Sequence, residues 1–331
     1  MSPASLVRAR WAIIAPFLVM GLVIGAWVPH VPLIKERLAV GPGIFGLALL
    51  SIAGGAVVAM PIAGVLINRL GSAVMTRITG VLFCAAFLGP VLAPNLVAFV
   101  IGGALMGMCI GSMDVSMNAH AIAIEKALRR PVLSMLHGVY SLGCVFGAFL
   151  GGYLIEALGG RNQAFIMAAL CLVLHLAAAR FFLPGSVDKG LSGSHFAWPT
   201  RATIGLGLLC YLALMIEGSV IDWAAILMRE KFLVEAGVAA MCFATYQGGM
   251  ALSRFTGDWI RLKVGAVPMV FVSALLTALG TTLGYTGFLS GPPLIGLAAQ
   301  VTNLNTALFL TVVAALIIAV FARAVKAADT Y

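Results

Sequence analysis

Residues 107–152 decide the fold and have the sequence GMCIGSMDVSMNAHAIAIEKALRRPVLSMLHGVYSLGCVFGAFLGG. Two strongly apolar arms, 106–124 and 132–158, flank a short basic hinge that contains Lys126, Arg129, Arg130 and Pro131. Asp114 lies deep in the first arm, among Gly, Met, Ile and Val. A carboxylate at bilayer depth costs about 3 kcal/mol unless it faces a cavity or a partner. The stretch therefore predicts a membrane hairpin of two helices with a functional carboxylate inside it.

The composition of the whole chain is also that of a membrane protein. Of 331 residues, 62% are hydrophobic and 9% are charged, and the mean hydropathy is +1.10. The apolar runs are long and do not alternate with polar residues, which favours helices over the strands of a membrane barrel. We therefore predict an all-α, polytopic helical bundle that has the lipid bilayer as its solvent.

Several classes of function find no support in the sequence. The net charge of +9 does not indicate a nucleic-acid partner, because the basic residues lie at the ends of apolar runs, where they set membrane topology. The six cysteines lie inside apolar runs, without a C-x-x-C pair or a cluster with histidine. Walker loops, dinucleotide fingerprints and catalytic-triad spacings are also missing from the sequence. We expect no enzymatic activity, no cofactor and no metal site.

Ten membrane spans are predicted, and they fall into two groups. They cover residues 11–30, 44–68, 73–94, 96–124, 132–158, 162–183, 203–228, 237–260, 266–299 and 304–325. The polar segment 184–201 is rich in Gly and Ser and separates six spans from four. We predict an N-terminal six-helix bundle (1–183), a cytoplasmic linker (184–201) and a shortened C-terminal helical bundle (202–331).

The distribution of basic residues predicts the orientation. Most of the 20 Lys and Arg residues fall on one side of the predicted bundle, and this side also holds both termini. By the positive-inside rule, both termini are cytoplasmic. Lys35, Glu36 and Arg37 then form a solvated outer loop without a special role.

A weak internal repeat relates the two halves. GVLINRLG (64–71) closes the second span with a tight basic turn, and RFTGDWIRLKVG (254–265) closes the eighth span in the same way. A glycine-rich helix follows each turn, with SLGCVFGAFLGG (141–152) in the first half and TLGYTGFLSGPPLIG (282–296) in the second. Small residues at this spacing allow neighbouring helices to approach closely. The halves are therefore interpreted as pseudo-repeats.

The second half is shorter between its basic turn and its glycine-rich helix. On the order of 50 residues, enough for about two spans, are absent there relative to the first half. The run 266–299 is then interpreted as the start of one helix joined to the body of another, with an interruption at Gly291, Pro292 and Pro293.

These features resemble the major facilitator superfamily, whose members have twelve spans in two six-helix halves. GVLINRLG is similar to its cytoplasmic loop motif, with Asn68 where the family usually has Asp. The two glycine-rich helices resemble its fifth and eleventh helices. MDVSMNAH (113–120), LHGVYSLG (136–143), EGSVIDWAA (217–225) and ALSRFTGDWI (251–260) resemble a bacterial inner-membrane branch related to fucose permeases.

The resemblance implies a multi-pass inner-membrane protein, which we expect to be a monomer. Two bundles of such a protein rock around a central site and expose it to each side in turn. This chain lacks most of the ninth and tenth family helices, and the tenth lines the cavity. The resemblance also implies a cytoplasmic gating motif, which here comprises Gly64, Asn68, Arg69, Gly71, Arg254 and Asp258. Arg254 and Asp258 are i,i+4 neighbours on one helix, where their charges would pair.

The first candidate site lies in the opening stretch. Asp114 is roughly 18 Å from the cytoplasmic edge at a helix rise of 1.5 Å per residue, and Asn118 is one turn nearer that edge on the same face. A carboxylate beside an amide suits proton exchange together with recognition of sugar-like hydroxyl groups. The alternative is a structural hydrogen bond between Asp114 and the adjoining helix at Gly143.

Two histidines flank the hinge. His120 and His137 both lie roughly 9 Å inside the cytoplasmic edge, so they could face each other across the hairpin. Such a pair would suit a gate or a proton relay, and His137 is a candidate substrate contact. The alternative is that both are satisfied structural side chains.

The second candidate site lies in the second half. Glu217 and Gln247 are each roughly 21 Å from the cytoplasmic side, so they should meet in an antiparallel pair. Glu217 is the second candidate proton carrier, and Gln247 is a candidate substrate contact. Asp222, a further candidate substrate contact, comes nearer the outer surface, where Trp223 is interpreted as an aromatic membrane anchor.

The function predicted from these residues is secondary active transport of a small, polar, sugar-like solute. Protons would drive it through Asp114 or Glu217. Two alternatives stay open: a shortened relative that no longer transports, either a remnant or a membrane interaction protein, and the export of hydrophobic drugs.

Overall fold

The computed structural model describes residues 3–130, 132–183, 201–264 and 285–321. Side chains are described at these positions except at 3–4, 201–207, 209–210, 257–264, 285–292, 305, 319 and 321. The predicted linker up to residue 200 and the segment 265–284 lie outside the described residues.

The regular structure in the described ranges is entirely α-helical, as predicted. Thirteen helices occur there: α1 (Pro3–Ala12), α2 (Ile14–Trp27), α3 (His30–Leu38), α4 (Pro42–Leu70), α5 (Ser72–Ala86), α6 (Leu88–Leu92), α7 (Leu96–Leu128), α8 (Leu133–Leu158), α9 (Gly160–Ala179), α10 (Arg201–Phe232), α11 (Ala236–Val264), α12 (Tyr285–Val301) and α13 (Leu304–Phe321).

Seven segments in the described part of the chain are long and apolar enough to cross a membrane. They are Ser5–Trp27, Pro42–Leu70, Ser72–Leu92, Leu96–Leu128, Leu133–Leu158, Gly160–Ala179 and Tyr211–Phe232. They correspond to the first seven predicted spans, and α11, α12 and α13 lie where the last three were predicted. The prediction of a helical membrane bundle is therefore confirmed.

Glycines bring the helices of the first half into direct backbone contact. A Cβ added at Gly107 of α7 would overlap the carbonyl oxygen of Ile52 on α4, and one added at Gly111 would lie 2.5 Å from the carbonyl oxygen of Ala56. A Cβ at Gly143 of α8 would lie 2.7 Å from the carbonyl oxygen of Leu18 on α2. The close approach predicted for the glycine-rich helix is therefore present.

The two halves pack on each other through equivalent helices. In the first half, α8 packs against α11, with Gly152 against Gly237. In the second half, α12 packs against α4, where a Cβ at Gly296 would lie 2.5 Å from the carbonyl oxygen of Pro42. Each of the two glycine-rich helices, α8 and α12, thus packs on a helix of the other half. Helix α12 is therefore the counterpart of α8, in agreement with the repeat in the sequence.

The predicted interruption at residues 291–293 is wrong. Helix α12 runs without a break from Tyr285 to Val301, so Gly291, Pro292 and Pro293 all lie within it. Proline removes a helix hydrogen bond, but membrane helices tolerate it because neighbouring groups satisfy the freed carbonyl groups. Helix α4 likewise continues through Pro61.

The bundle has two ends, which we name after residues at each of them. The Arg129 end contains the α4–α5 turn at Gly71 and the α7–α8 turn at Arg129. The Lys35 end contains α3 and the connection between α10 and α11. Gly71 has a φ of 89°, a conformation that disfavours residues with a side chain, so the tight turn after α4 requires glycine.

Candidate functional site

A series of polar contacts links α7 to α11 by way of α8, and we call it the α7–α11 network. The Asn118 amide nitrogen lies 2.9 Å from the backbone oxygen of Asp114 and 3.1 Å from its Oδ1. The Asn118 Oδ1 lies 3.1 Å from Nε2 of His137 on α8. The amide therefore donates to Asp114 and accepts from the imidazole, which joins three of the predicted site residues.

Arg254 of α11 completes the α7–α11 network from the other half. Its Nη1 donates to the backbone oxygen of His137 at 3.2 Å and to Oγ of Ser141 at 2.5 Å. Its guanidinium also lies 5.7 Å from the centroid of the Tyr140 ring, within the range of a cation–π contact. In return, Ser134 Oγ donates to the Arg254 backbone oxygen at 3.1 Å. One arginine thus holds a single face of α8 and connects the two halves.

The other residues of the predicted gating motif occupy different positions. Asn68 and Arg69 are exposed at the Arg129 end, and a Cβ at Gly64 would meet nothing within 4 Å among the described atoms. The Asp258 side chain lies outside the described residues, so its pairing with Arg254 stays a prediction. The structure therefore assigns Arg254 a contact surface on α8, away from the turn at Gly71.

The predicted meeting of Glu217 and Gln247 is present. Gln247 Nε2 donates to Glu217 Oε1 at 3.4 Å, and both side chains are buried. The Gln247 Oε1 is also buried and has no partner among the described residues. An unpaired buried amide oxygen costs about 1–3 kcal/mol, so this position has spare capacity to accept a hydrogen bond.

Asp222 lies in the apolar interior between the two halves. Its side chain is 4% exposed and accepts a hydrogen bond from Trp27 of α2. It borders a cavity of about 10 Å³ that α2, α4, α7 and α10 enclose. The aliphatic part of the cavity wall consists of Ile24, Leu49, Ile52, Met106, Ile110 and Ile221.

The interpretation of Trp223 as a membrane anchor is wrong. The side chain is completely buried, and its ring meets that of Phe45 edge-on at 6.3 Å. A membrane anchor places its indole at the lipid headgroups, whereas this indole packs between α10, α4 and α12. Its Nε1 has no partner among the described residues.

One face of α7 connects the Asp222 cavity to the α7–α11 network. Met106 and Ile110 line the cavity, and Asp114 and Asn118 follow at the same spacing of four residues. Residues four apart lie on one face of a helix. The structure therefore places Asp222 and Asp114 along a common interface between the halves, with Asp114 nearer the Arg129 end.

The two hinge histidines belong to different contact sets. His120 Nδ1 lies 2.9 Å from Ser72 Oγ, and the Leu183 amide donates to its Nε2 at 3.4 Å. His137 instead contacts Asn118 and packs edge-on against Phe17 at 5.3 Å. The structural interpretation therefore fits His120, whereas His137 belongs to the α7–α11 network.

Ion pairs join the two halves at the Lys35 end, where the sequence predicted a solvated loop without a role. Lys35 pairs with Glu230 at 2.5 Å, and Arg229 donates to both oxygens of Glu36 at 2.8 and 3.2 Å. Arg229 also lies 3.7 Å from Glu235. We call these residues the Lys35-end ion pairs, and they border a cavity of about 240 Å³.

A sequence signal for these ion pairs exists. The tripeptide Lys-Glu-Arg at 35–37 and the tripeptide Arg-Glu-Lys at 229–231 follow corresponding spans of the two halves. The third residue of the first tripeptide has a separate role, since Arg37 donates to the Val91 backbone oxygen at 2.9 Å. Partial burial lowers the pKa of the Arg37 guanidinium, which nevertheless stays protonated.

Known proteins resemble this chain in sequence and in fold. The model of the Major Facilitator Superfamily matches residues 11–206. A Yersinia pestis protein named as an uncharacterized MFS-type transporter is 31% identical over 93% of this chain and 94% of its own length. That alignment spans 362 residues, more than this chain contains, so the relative has residues that this chain lacks.

Two solved structures share the fold. The nucleoside transporter NupG has a TM-score of 0.61 at 10% identity and covers 96% of this chain and 90% of its own. A bacterial homolog of the human lysosomal transporter Spinster, in an inward-facing and occupied conformation, has a TM-score of 0.64 at 12% identity. It covers 98% of this chain and 81% of its own.

Proposed function

The chain belongs to the major facilitator superfamily, and we propose that it is a secondary active transporter that moves a small polar solute, coupled to protons, by alternating access. The observation that carries this proposal is the α7–α11 network. A carboxylate, an amide and an imidazole follow one another from α7 to α8, and a guanidinium of the other half bonds to the backbone of the residue that carries the imidazole. A change of charge at Asp114 would therefore be felt at a contact that must open and close during transport.

The chemistry of the site residues supports this assignment of roles. Asp114 and Glu217 are the proposed proton carriers, and each is hydrogen-bonded by an amide, from Asn118 and Gln247 respectively. Asn118 both donates and accepts, and the Gln247 Oε1 has free capacity, so the two amides suit hydroxyl groups of a sugar-like solute. His137 joins the amide of Asn118 to α8.

The test uses purified protein in liposomes that contain a pH-sensitive dye. A gradient of the transported solute, found with a panel of sugars, nucleosides and hydroxylated organic ammonium compounds, should drive a pH change in the wild type. Asp114→Asn keeps the shape of the side chain and should abolish the solute-driven pH change. Glu156→Gln removes an exposed carboxylate on α8 and is the matched control, which should behave as the wild type. An unchanged signal in Asp114→Asn would contradict the role of Asp114.

A second candidate function follows from the shortened second half. Helix α11 carries Gly248 and Gly249, and a Cβ added at either would meet no described atom within 4 Å. That no described residue packs there supports a family member that no longer transports and acts as a membrane interaction partner. Flux of any solute of the panel above that of empty liposomes would exclude this second function.

The proposed location is the bacterial inner membrane, with both termini in the cytoplasm and a monomer as the working form. The excess of basic residues at the Arg129 end supports this orientation. A cysteine introduced at Ser5 and labelled from one side of intact cells would test it. Labelling by a membrane-impermeant reagent without permeabilisation would contradict a cytoplasmic N-terminus.

A further inference from the structure

We propose that the solute carries a single positive charge, as an organic ammonium group, and that Asp222 recognises this charge. This inference rests on the proposed transport function and specifies the class of the solute. Its starting point is the position of Asp222, which faces an apolar cavity built jointly by helices α2, α4 and α7 of the first half and α10 of the second. In alternating access, the halves move relative to each other along this surface.

The carboxylate has capacity that its surroundings do not use. A carboxylate can accept about four hydrogen bonds, and Asp222 is hydrogen-bonded by Trp27 among the described residues. None of the ion pairs among the described residues includes Asp222, since all three lie at the Lys35 end. A buried carboxyl group without a cation avoids an unpaired charge by keeping its proton, and a cation that binds beside it takes the place of that proton. The position therefore favours a ligand that brings a positive charge.

The walls of the cavity define the rest of the ligand. Six aliphatic side chains and the indole of Trp27 surround the carboxylate, so methyl or methylene groups next to the charge would be well accommodated. The face of an indole also attracts cations. A second charge on the ligand would find no described partner in the wall, and an anion would be repelled by Asp222. A small monocation with a methylated or aliphatic body fits these conditions.

The size of the cavity specifies when the ligand binds. At about 10 Å³, it holds about one water molecule. An ammonium group therefore enters only when the first and second halves separate along this interface. The solute would then bring its charge to Asp222, on the same interface between the halves as Asp114.

The experiment measures equilibrium binding to the full chain in detergent and does not depend on transport. The probes are methylammonium, tetramethylammonium and choline, and 3,3-dimethylbutan-1-ol is the uncharged isostere of choline. At least one cation should raise the apparent Tm of the wild type in a saturable manner, whereas the isostere should not. Asp222→Asn should raise the Kd for that cation at least tenfold, and Asp222→Glu, which keeps the charge, should recover part of the affinity.

Controls separate this inference from misfolding and from the proposed function. Size-exclusion profiles and circular dichroism of Asp222→Asn must match the wild type, and Glu156→Gln should bind the cation as the wild type does. Equal cation affinity in the wild type and Asp222→Asn, or no response to all three cations, would overturn the inference. Transport of a neutral sugar without cation binding would retain the proposed function alone. Asp222-dependent binding without any flux would retain the ammonium site and overturn the transport proposal.

Discussion

Two diglycine pairs at corresponding places in the two halves have different surroundings. Gly54 and Gly55 lie the same number of residues after the start of α4 as Gly248 and Gly249 do after the start of α11. A Cβ on Gly55 would overlap the Ala104 carbonyl oxygen of α7. A Cβ on Gly248 or Gly249 would meet no described atom within 4 Å. Both halves thus contain a diglycine, the sequence pattern for close packing of a second helix. Among the described residues, a helix packs on the diglycine of the first half only.

The polar groups of the site come from different helices in the two halves. In the first half, the helix that packs on the diglycine is α7, which also carries Asp114 and Asn118. The second half has no described counterpart of α7, and its polar groups in the interface come from α10 and α11 instead. In the described part of the chain, the carboxylates of α7 and α10 therefore lie on opposite sides of the interface between the halves.

Alanine substitutions at the two diglycines should give the largest difference in unfolding free energy. The two changes should have opposite signs. Gly55→Ala forces the backbone of α7 away from α4, which should lower the unfolding free energy by about 3 kcal/mol. Gly249→Ala meets no described atom and gains helix propensity, so it should raise the unfolding free energy by about 0.5–1 kcal/mol. Chemical denaturation in detergent measures both.

Gly54→Ala is the matched control for this contrast, because it lies on α4 but has open space around its Cβ position. It should resemble Gly249→Ala. A similar loss of stability in Gly249→Ala and Gly55→Ala would show that another element packs on α11. The two diglycines would then have similar surroundings.

The contact between α8 and α11 should give an intermediate effect. Arg254→Gln removes the hydrogen bonds to Ser141 and to the His137 backbone, so the unfolding free energy should fall by about 2 kcal/mol. In a double-mutant cycle with Ser141→Ala, the coupling energy should be about 1 kcal/mol. Additive effects would mean that the contact between Arg254 and Ser141 does not stabilise the junction of the halves.

The Lys35-end ion pairs should give the smallest effect. Arg229→Gln or Glu36→Gln should lower the unfolding free energy by about 0.5 kcal/mol, because both partners are partly exposed and water screens their charges. The loss should vanish at about 1 M salt. The charge exchange Glu36→Arg with Arg229→Glu should restore stability better than either single reversal. Equal stability of the single reversals and the exchange would show that the pair has no energetic role.

The sequence allowed the depth of residues to be predicted, because the rise of a helix is constant. That argument placed Glu217 and Gln247 at one level, and the structure joins them at 3.4 Å. It also placed Asp114 and Asn118 on one face, and the two are hydrogen-bonded. Both results depend only on distance along helices whose ends are marked by charged residues.

The rotation of a helix and the identity of its distant neighbours could not be predicted in this way. Trp223 was placed at the membrane surface by its distance from the helix end, whereas the rotation of α10 buries it against Phe45. Likewise, the contact of Asp222 with Trp27 and that of Lys35 with Glu230 each join the two halves. These contacts depend on how the halves pack, and no periodicity within a single helix contains that information.

The packing of α12 on α4 has a consequence for the order of assembly during synthesis. Pro42 and Gly46, which receive Gly296, leave the ribosome long before α12 does. Domains fold as units and the N-terminal one comes first, so the surface that accepts α12 is complete when this helix is released. The first half therefore acts as a folding template for the second. A ribosome that stalls after α11 would leave that template uncovered, and the nascent protein would expose a glycine-lined groove to lipid and to quality-control proteases.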